Sequence, residues 1–142
     1  MVISLFFYYP CTMKNLILLI CLFLASKNQA FGQKLFNNKG QIIYRYENST
    51  FFASNGTVKV KIENNKIYNA QGVLLGKIEN NRVFSAKGMI LGRVDANKFF
   101  DSTGFLTGKI QDNLLVDGMG NIIAKFENLS PKNIAYFFYF FR

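Results

Sequence analysis

The chain has 142 residues, of which half are apolar and 18% are charged, and its formal net charge is +9. This length allows one domain of ordinary size. The chain contains no histidine and no tryptophan, and only two cysteines, Cys11 and Cys21. Both cysteines lie in the leader described next, which excludes disulfides, cysteine-bound zinc and a thiol nucleophile from the rest of the chain.

The first 32 residues have the pattern of a secretory signal peptide. A short charged start precedes an apolar run from Leu16 to Leu24, and a small, polar segment continues to Gly32. Ala30 and Gly32 are the small residues that a signal peptidase needs, so we predict cleavage before Gln33. Residues 1–12 look like an upstream extension from a misassigned start codon, and an uncleaved membrane anchor is the alternative to cleavage.

The predicted mature chain, residues 33–142, has fifteen basic residues against eight acidic ones, a net charge of +7. Such a balance favours contact with anionic surfaces, but it does not identify a partner. Because this part of the chain has no cysteine, its stability must come from burial and from hydrogen bonding within sheets. Export would place it in the periplasm, the cell envelope or the extracellular space.

A sixteen-residue repeat organises the mature chain. Glycine recurs at this spacing, at Gly40, Gly56, Gly72, Gly88, Gly104 and Gly120. When each repeat is numbered from its glycine, positions 2, 4 and 6 are apolar or small, which is the period of a strand with one buried face. Asn-rich turns follow position 7, and a shorter apolar run at positions 11 and 12 leads back to the next glycine. Each unit is therefore predicted to be a β-hairpin.

Repeats this short cannot bury their apolar faces alone, so they must assemble into one array. The chain is long enough for about ten to twelve strands in up-and-down order. Closing them into one barrel removes both sheet edges, whereas an open array would need polar ends that this sequence lacks. The predicted fold is all-β: a small, closed, up-and-down β-barrel of hairpin repeats over residues 33–128.

Position 4 of the repeat divides the hairpins into two groups. It is glycine in three consecutive repeats, at Gly76, Gly92 and Gly108, and a larger residue in the others. Glycine weakens the interior of a strand, so three in register predict that another chain segment approaches closely there. We expect these three positions to line the axis of the barrel.

Residues 129–142 break the repeat. Ser130 and Pro131 are typical of the start of a helix, and the nine residues that follow from Asn133 to Phe141 are apolar on all sides. Such a segment is buried or lies in a membrane, and nine residues are too few to span a bilayer as a helix. We expect a helix that fills the barrel axis; a closing strand, membrane insertion and self-association are the alternatives.

The repeat resembles that of the β-flower proteins, and in particular of the five-fold β-flower family. The pattern is clearest from Asn69 to Asp117, where the second glycine, the basic residue and the turn asparagine recur in phase; it departs at Tyr44, Val60 and Ala124. The resemblance implies a shallow symmetric barrel with hairpins as petals, an apolar central channel, and a likeness in shape to the tubby C-terminal domain. It implies no activity and no functional residues, and the sequence leaves five or six petals open.

Catalysis has little support in this sequence. There is no histidine, and there is no acidic cluster outside the repeated positions. Asp101 and Asp117 occupy a turn position that is Asn69 or Ser85 in other repeats, so they are predicted to be hydrogen-bonding turn residues. We therefore expect a protein that is not an enzyme and that needs no cofactor and no metal.

Position 5 is basic in every repeat, which makes it the candidate anion-binding feature. These six residues, the cation column, are Arg45, Lys61, Lys77, Arg93, Lys109 and Lys125. In a closed barrel they would form a belt able to hold phosphates or anionic lipid headgroups. The competing interpretation is a solvated face on which each cation pairs with the acid two residues along, or with one across the strand.

These observations predict a secreted or envelope-associated, non-catalytic binding module. Its expected ligand is a lipid or another apolar or anionic envelope component, held by the axial channel and the cation column. The alternative is a structural or self-assembling protein with no small-molecule ligand, and the oligomeric state is left open. No nucleic-acid partner is expected, because the aromatic residues follow the core positions and the protein is predicted to be exported.

Overall fold

The computed structural model describes residues 32–142, so the predicted signal peptide lies outside the described residues except for Gly32. This region contains twelve strands, alternately four and six residues long, and one helix. The strands are β1 (Gln33–Phe36), β2 (Ile42–Glu47), β3 (Thr50–Ala53), β4 (Val58–Glu63), β5 (Lys66–Asn69), β6 (Leu74–Glu79), β7 (Arg82–Ser85), β8 (Ile90–Asp95), β9 (Lys98–Asp101), β10 (Leu106–Gln111), β11 (Leu114–Asp117) and β12 (Ile122–Glu127). The helix, α1, spans Pro131–Phe140.

The twelve strands form one closed antiparallel barrel in which each strand pairs with its neighbours in sequence. The barrel is closed by β1 and β12, which align Leu35 with Phe126. The predicted all-β closed barrel is therefore confirmed. The sequence left open whether the barrel has five or six petals. The chain forms five continuous hairpins, and β12 and β1, from its two ends, form a sixth strand pair.

The tight turns within the hairpins form where Asn-rich dipeptides permit positive φ. Asn64 and Asn65 have φ of 51° and 65°, and Asn80 and Asn81 have φ of 49° and 63°. These left-handed pairs give a two-residue turn whose twist matches that of the strands. Ala96 takes the same conformation, with φ of 49°, although it lacks the polar side chain that makes this conformation accessible to asparagine.

The register of each long strand shifts once, and the shift changes which residues face the core. In β6 it falls between Gly76 and Leu74, so Leu75 is an extra residue that packs against the core. One extra residue reverses the alternation of a strand, and position 2 therefore points to solvent. The prediction that position 2 shares a buried face with positions 4 and 6 is wrong: Ile90 and Ile122 are each 49% exposed.

The helix α1 fills the axis of the barrel, as its sequence predicted. The Ser130 hydroxyl caps it by accepting a hydrogen bond from the backbone N–H of Asn133, and Pro131 lies in its first turn. One hydrophobic core joins the helix to the inner side chains of the strands, and Ile134 and Tyr136 are fully buried. The alternative of a closing strand is excluded. Among residues 32–142, no helix is long and apolar enough to cross a membrane.

Candidate functional site

The three position-4 glycines lie where the helix comes closest to the barrel wall. A Cβ atom on Gly108 would lie 2.7 Å from the Phe138 ring, and a Cβ atom on Gly92 would lie 2.8 Å from the Tyr139 ring. A Cβ atom on Gly76 would overlap the next aromatic ring along the helix. Consecutive rings of α1 therefore occupy the space that side chains at these three positions would fill.

The other three repeats have larger side chains at position 4, and they are Tyr44, Val60 and Ala124. The Tyr44 ring packs edge-on against the helix, with its centroid 6.0 Å from that of Phe137 and 5.4 Å from that of Phe141. The helix thus packs directly on backbone in β6, β8 and β10 and on side chains elsewhere. This contact explains why the second glycine is missing from part of the repeat.

Two tyrosines of α1 donate hydrogen bonds to the barrel backbone. The Tyr136 hydroxyl donates to the carbonyl of Asn65, and the Tyr139 hydroxyl donates to the carbonyl of Phe100, each at 2.7 Å. Burial raises the pKa of both tyrosines to about 12, which keeps them neutral donors. The expected axial channel for an apolar ligand is therefore filled by the chain's own helix.

The cation column lies on the outer face of the barrel, along the long strands. Four of its residues are exposed, and Lys77 and Lys109 are half-buried. Within residues 32–142, the one ion pair closer than 4 Å joins Lys77 Nζ to Glu79 Oε2 at 2.8 Å. The hydrogen bond and the positive charge of Lys77 hold the pKa of Glu79 below its usual range. The expected pairing with the acid two residues along is thus present at one position of the column.

The acids at position 7 align with a different set of cations, those at position 10. Across the hairpins, Glu79 aligns with Arg82, and Asp95 aligns with Lys98. With the strand on their other side, four of the six column residues align with a cation, as Arg93 does with Arg82. Like charges directly opposite each other destabilise a sheet. The fold therefore offers the position-10 cations an acidic neighbour across the hairpin. It offers four of the six column residues an aromatic neighbour there.

Aromatic side chains lie beside the column on the same outer face. Position 12 aligns with the column across each hairpin, so that Phe84 faces Lys77 and Phe100 faces Arg93. The Arg93 guanidinium lies 4.6 Å from the centroid of the Phe100 ring, and Lys77 Nζ lies 5.3 Å from that of Phe84, which is the range of cation–π contacts. The premise that the aromatics follow the core positions is wrong for position 12. The sequence could have shown this, because adjacent residues of a strand face opposite sides. If position 11 faces the core, position 12 must face outward.

The barrel has two chemically different ends. The glycine-turn end is formed by the loops around the six repeat glycines, and the asparagine-turn end by the two-residue turns that follow position 7. Within residues 32–142, every exposed large hydrophobic residue lies at the glycine-turn end: Val58, Val73, Met89, Ile90, Phe105, Leu106, Met119 and Ile122. Six of the eight acids lie at the asparagine-turn end: Glu47, Glu63, Glu79, Asp95, Asp112 and Glu127. Sequence reasoning missed this difference because it placed position 2 in the core.

The remaining two acids, Asp101 and Asp117, cap turns at the glycine-turn end, as predicted. Asp101 Oδ1 accepts hydrogen bonds from the hydroxyl of Thr103 at 2.7 Å and from the backbone N–H groups of Thr103 and Phe105. These bonds, led by that of the Thr103 hydroxyl, hold the pKa of Asp101 below its usual range. Asn69 makes the equivalent backbone bonds in its own turn. In the described part of the chain, no group of acids, histidines and cysteines could hold a metal ion.

The whole described region matches a known family. The family model for the 5-fold beta-flower protein matches residues 32–142, so the chain belongs to the five-fold β-flower family. No curated protein and no solved structure matches the chain. The β-flower family is not a known enzyme family.

Proposed function

We propose that this five-fold β-flower protein is a non-catalytic binding module that attaches to anionic lipid headgroups of the cell envelope through its cation column. The observation that carries the proposal is the position of the column. Its six cations form a belt on the outer face, while most acids of the chain lie at the asparagine-turn end. A belt of this kind attracts anionic surfaces, with about 1 kcal/mol for each cation near the surface.

The aromatic neighbours of the column support an amphiphilic ligand rather than a free anion. Phe100 and Phe84 lie against Arg93 and Lys77, so apolar rings and positive charges alternate on one face. This combination fits a lipid headgroup region, where charge and apolar surface meet. The axis takes no part in the proposed function, because α1 occupies it.

The predicted export signal is consistent with an envelope ligand. A mature protein outside the cytoplasm would meet phosphate-bearing lipids as the most extended anionic surface available to it. Because the leader lies outside the described residues, export of the protein is part of the proposal. The protein is therefore expressed as the full chain, and its exported product is used for the binding test.

The test is co-sedimentation with vesicles in which about a third of the phospholipid is anionic. The triple variant Lys77→Gln, Arg93→Gln and Lys109→Gln is expected to bind about 100-fold more weakly than the unaltered protein, because it lacks three cations of about 1 kcal/mol each. Binding of the unaltered protein should also weaken as salt screens the charges. Circular dichroism checks that the variant is folded.

A matched control removes the same amount of charge from the neighbouring strands. The variant Lys66→Gln, Arg82→Gln and Lys98→Gln changes the cations that face acids across the hairpins, and it should keep most of the binding. Equal losses in the two variants would mean that only net charge matters, which contradicts the proposal. Tighter binding of the unaltered protein to single-stranded nucleic acid than to vesicles would assign it to a different class of partner.

A further inference from the structure

We infer that the glycine-turn end of the barrel inserts into the interfacial layer of a phospholipid bilayer that contains anionic lipids. The inference goes beyond the proposed function, because it concerns a different surface of the molecule. Its central feature is the apolar arc, four side chains at the tips of four consecutive turns. They are Val73, Met89, Phe105 and Met119, which are 57%, 61%, 73% and 87% exposed.

The apolar arc occupies one side of the end rather than the whole of it. The four turns join β5 to β6, β7 to β8, β9 to β10 and β11 to β12, and these strands are adjacent around the barrel. The turn that joins β11 to β12 carries its apolar residue, Met119, before its glycine, whereas the other three carry theirs after it. The two remaining turns, joining β1 to β2 and β3 to β4, have polar residues on both sides of their glycines: Lys39 and Gln41, and Asn55 and Thr57. The molecule would therefore enter a bilayer tilted, with β6 to β12 lowest.

A second row of apolar side chains lies directly behind the tips. It consists of Ile90, Leu106 and Ile122, which the register shift of each long strand turns outward. Two rows extend the apolar surface by about 3–7 Å along the strands. This depth matches the about 5–10 Å to which interfacial protein segments enter the headgroup and acyl boundary.

The C-terminus of the chain adds to the same end. A hollow of about 390 Å³ opens beside the end of α1, and it is lined by Leu91, Asp101, Thr107 and residues 138–142. The Arg142 guanidinium lies 4.2 Å from the centroid of the Phe138 ring. The Phe138 ring itself is buried, so what Arg142 adds to this end is a positive charge held at its surface, where a long side chain reaches headgroups.

The distribution of charge selects a bilayer over a second copy of the chain. Lys39, Lys87 and Arg142 lie at this end, and its acids, Asp101 and Asp117, are engaged in turn hydrogen bonds. The cation column lies four residues behind the tips, about 13 Å along the strands, so inserted tips would bring it toward the headgroups. Because the three cations of this end outnumber its two acids, two copies joined by this end would leave positive charge uncompensated, whereas anionic headgroups complement it.

The test exploits the absence of tryptophan from the chain. Phe105→Trp introduces a single fluorophore at the centre of the apolar arc, and Leu114→Trp introduces one at the asparagine-turn end as a matched control. Both full-length chains are expressed, and their exported products are mixed with vesicles of zwitterionic and anionic phospholipid with brominated acyl chains. Bromine quenches nearby indole, so the fluorescence of Phe105→Trp should fall at least twofold and shift to the blue, while that of Leu114→Trp stays unchanged. A retained leader would bring both variants to the vesicles alike, so the difference between the two tryptophans still reports which end inserts.

A pair of substitutions at the same end provides the affinity measurement. Phe105→Gln should weaken partitioning into vesicles about tenfold, whereas Val58→Gln, on the polar side of the end, should leave it unchanged. Equal quenching of both tryptophans would overturn the inference. A blue shift of Phe105→Trp that grows with protein concentration without lipid would identify a second copy as the occupant and also overturn it.

The two proposals fail in different ways. Salt-sensitive vesicle binding that needs the cation column, without quenching of Phe105→Trp, would leave the proposed function intact and refute the insertion. Quenching of Phe105→Trp in vesicles that the column variant binds as tightly as the unaltered protein would support the insertion and refute the proposed role of the column.

Discussion

Along each long strand, position 4 faces the helix and position 5 faces outward. Of these two neighbouring positions, position 5 is the one that keeps its residue type through all six repeats. Position 4 varies because a single helix cannot present the same surface to six strands. The solvent-facing column has no such asymmetric partner among the described residues, and solvated lysines could drift to other polar residues at little cost to stability. The comparison teaches that departures from the repeat mark where the axial helix α1 packs, and that the repeated outer position has surroundings that differ little from one hairpin to the next.

The largest expected effect is on the inner face. Gly92→Leu should lower the free energy of unfolding by about 3 kcal/mol, because its side chain would overlap the Tyr139 ring and the backbone of Phe100. Arg93→Leu, one residue along on the outer face, should change it by no more than about 0.5 kcal/mol. Urea denaturation followed by circular dichroism measures both. Similar losses in the two variants would contradict the assignment of the faces.

A smaller, pH-dependent effect on stability is expected from the two tyrosines of α1. The pKa of Tyr136 and Tyr139 is raised to about 12 in the folded protein, against about 10 for an unfolded chain. The stabilisation that this difference reflects is complete below pH 10 and is lost as the pH rises from about 10 to 12, because the unfolded state then ionises first. The melting temperature should fall over this window.

Tyr136→Phe separates this effect from other alkaline titrations. The variant should lose about 1 kcal/mol at neutral pH, since the Asn65 carbonyl loses the Tyr136 hydroxyl and keeps only the backbone N–H of Ile78 as a donor. It should also show a shallower fall in melting temperature between pH 10 and 12 than the unaltered protein. Parallel curves for the two proteins would show that the ionisation of Tyr136 is not coupled to unfolding.

The smallest expected effect lies in a turn, where the repeat is broken at an exposed residue. Ala96 adopts φ of 49° at a position that is asparagine in the turns at Asn64 and Asn80. Ala96→Asn should therefore stabilise the protein by about 0.5 kcal/mol, because asparagine tolerates the left-handed conformation. Asn80→Ala is the reverse change in a neighbouring hairpin, and it should destabilise by a similar amount. Thermal melts decide the sign, and destabilisation by Ala96→Asn would mean that alanine is needed there.

The barrel and its axial helix α1 could be predicted, because the sequence features that specify them are local. Turn asparagines, the repeat glycine and the Ser130–Pro131 helix start each act within a few residues of chain, and closure follows from the lack of polar ends. The register shift could not be predicted, because Leu74 and Leu75 are equally apolar and only pairing with β5 decides which of them turns inward. The apolar end of the barrel depends on that shift, so it too became visible only in the structure.

The pairing of β1 with β12, which closes the barrel, also determines the order in which the molecule can fold. Eleven of the twelve strand pairings join neighbours in sequence, and hairpins of this kind form within about 1–10 μs. The remaining pairing brings together Leu35 and Phe126, 91 positions apart, and so carries the largest loop-closure entropy. Until it forms, the chain is a row of hairpins with two bare edges and an uncovered aromatic helix, the species most prone to aggregation. Because β12 and α1 are the last elements of the domain to be synthesised, the barrel cannot close while the ribosome is still making it.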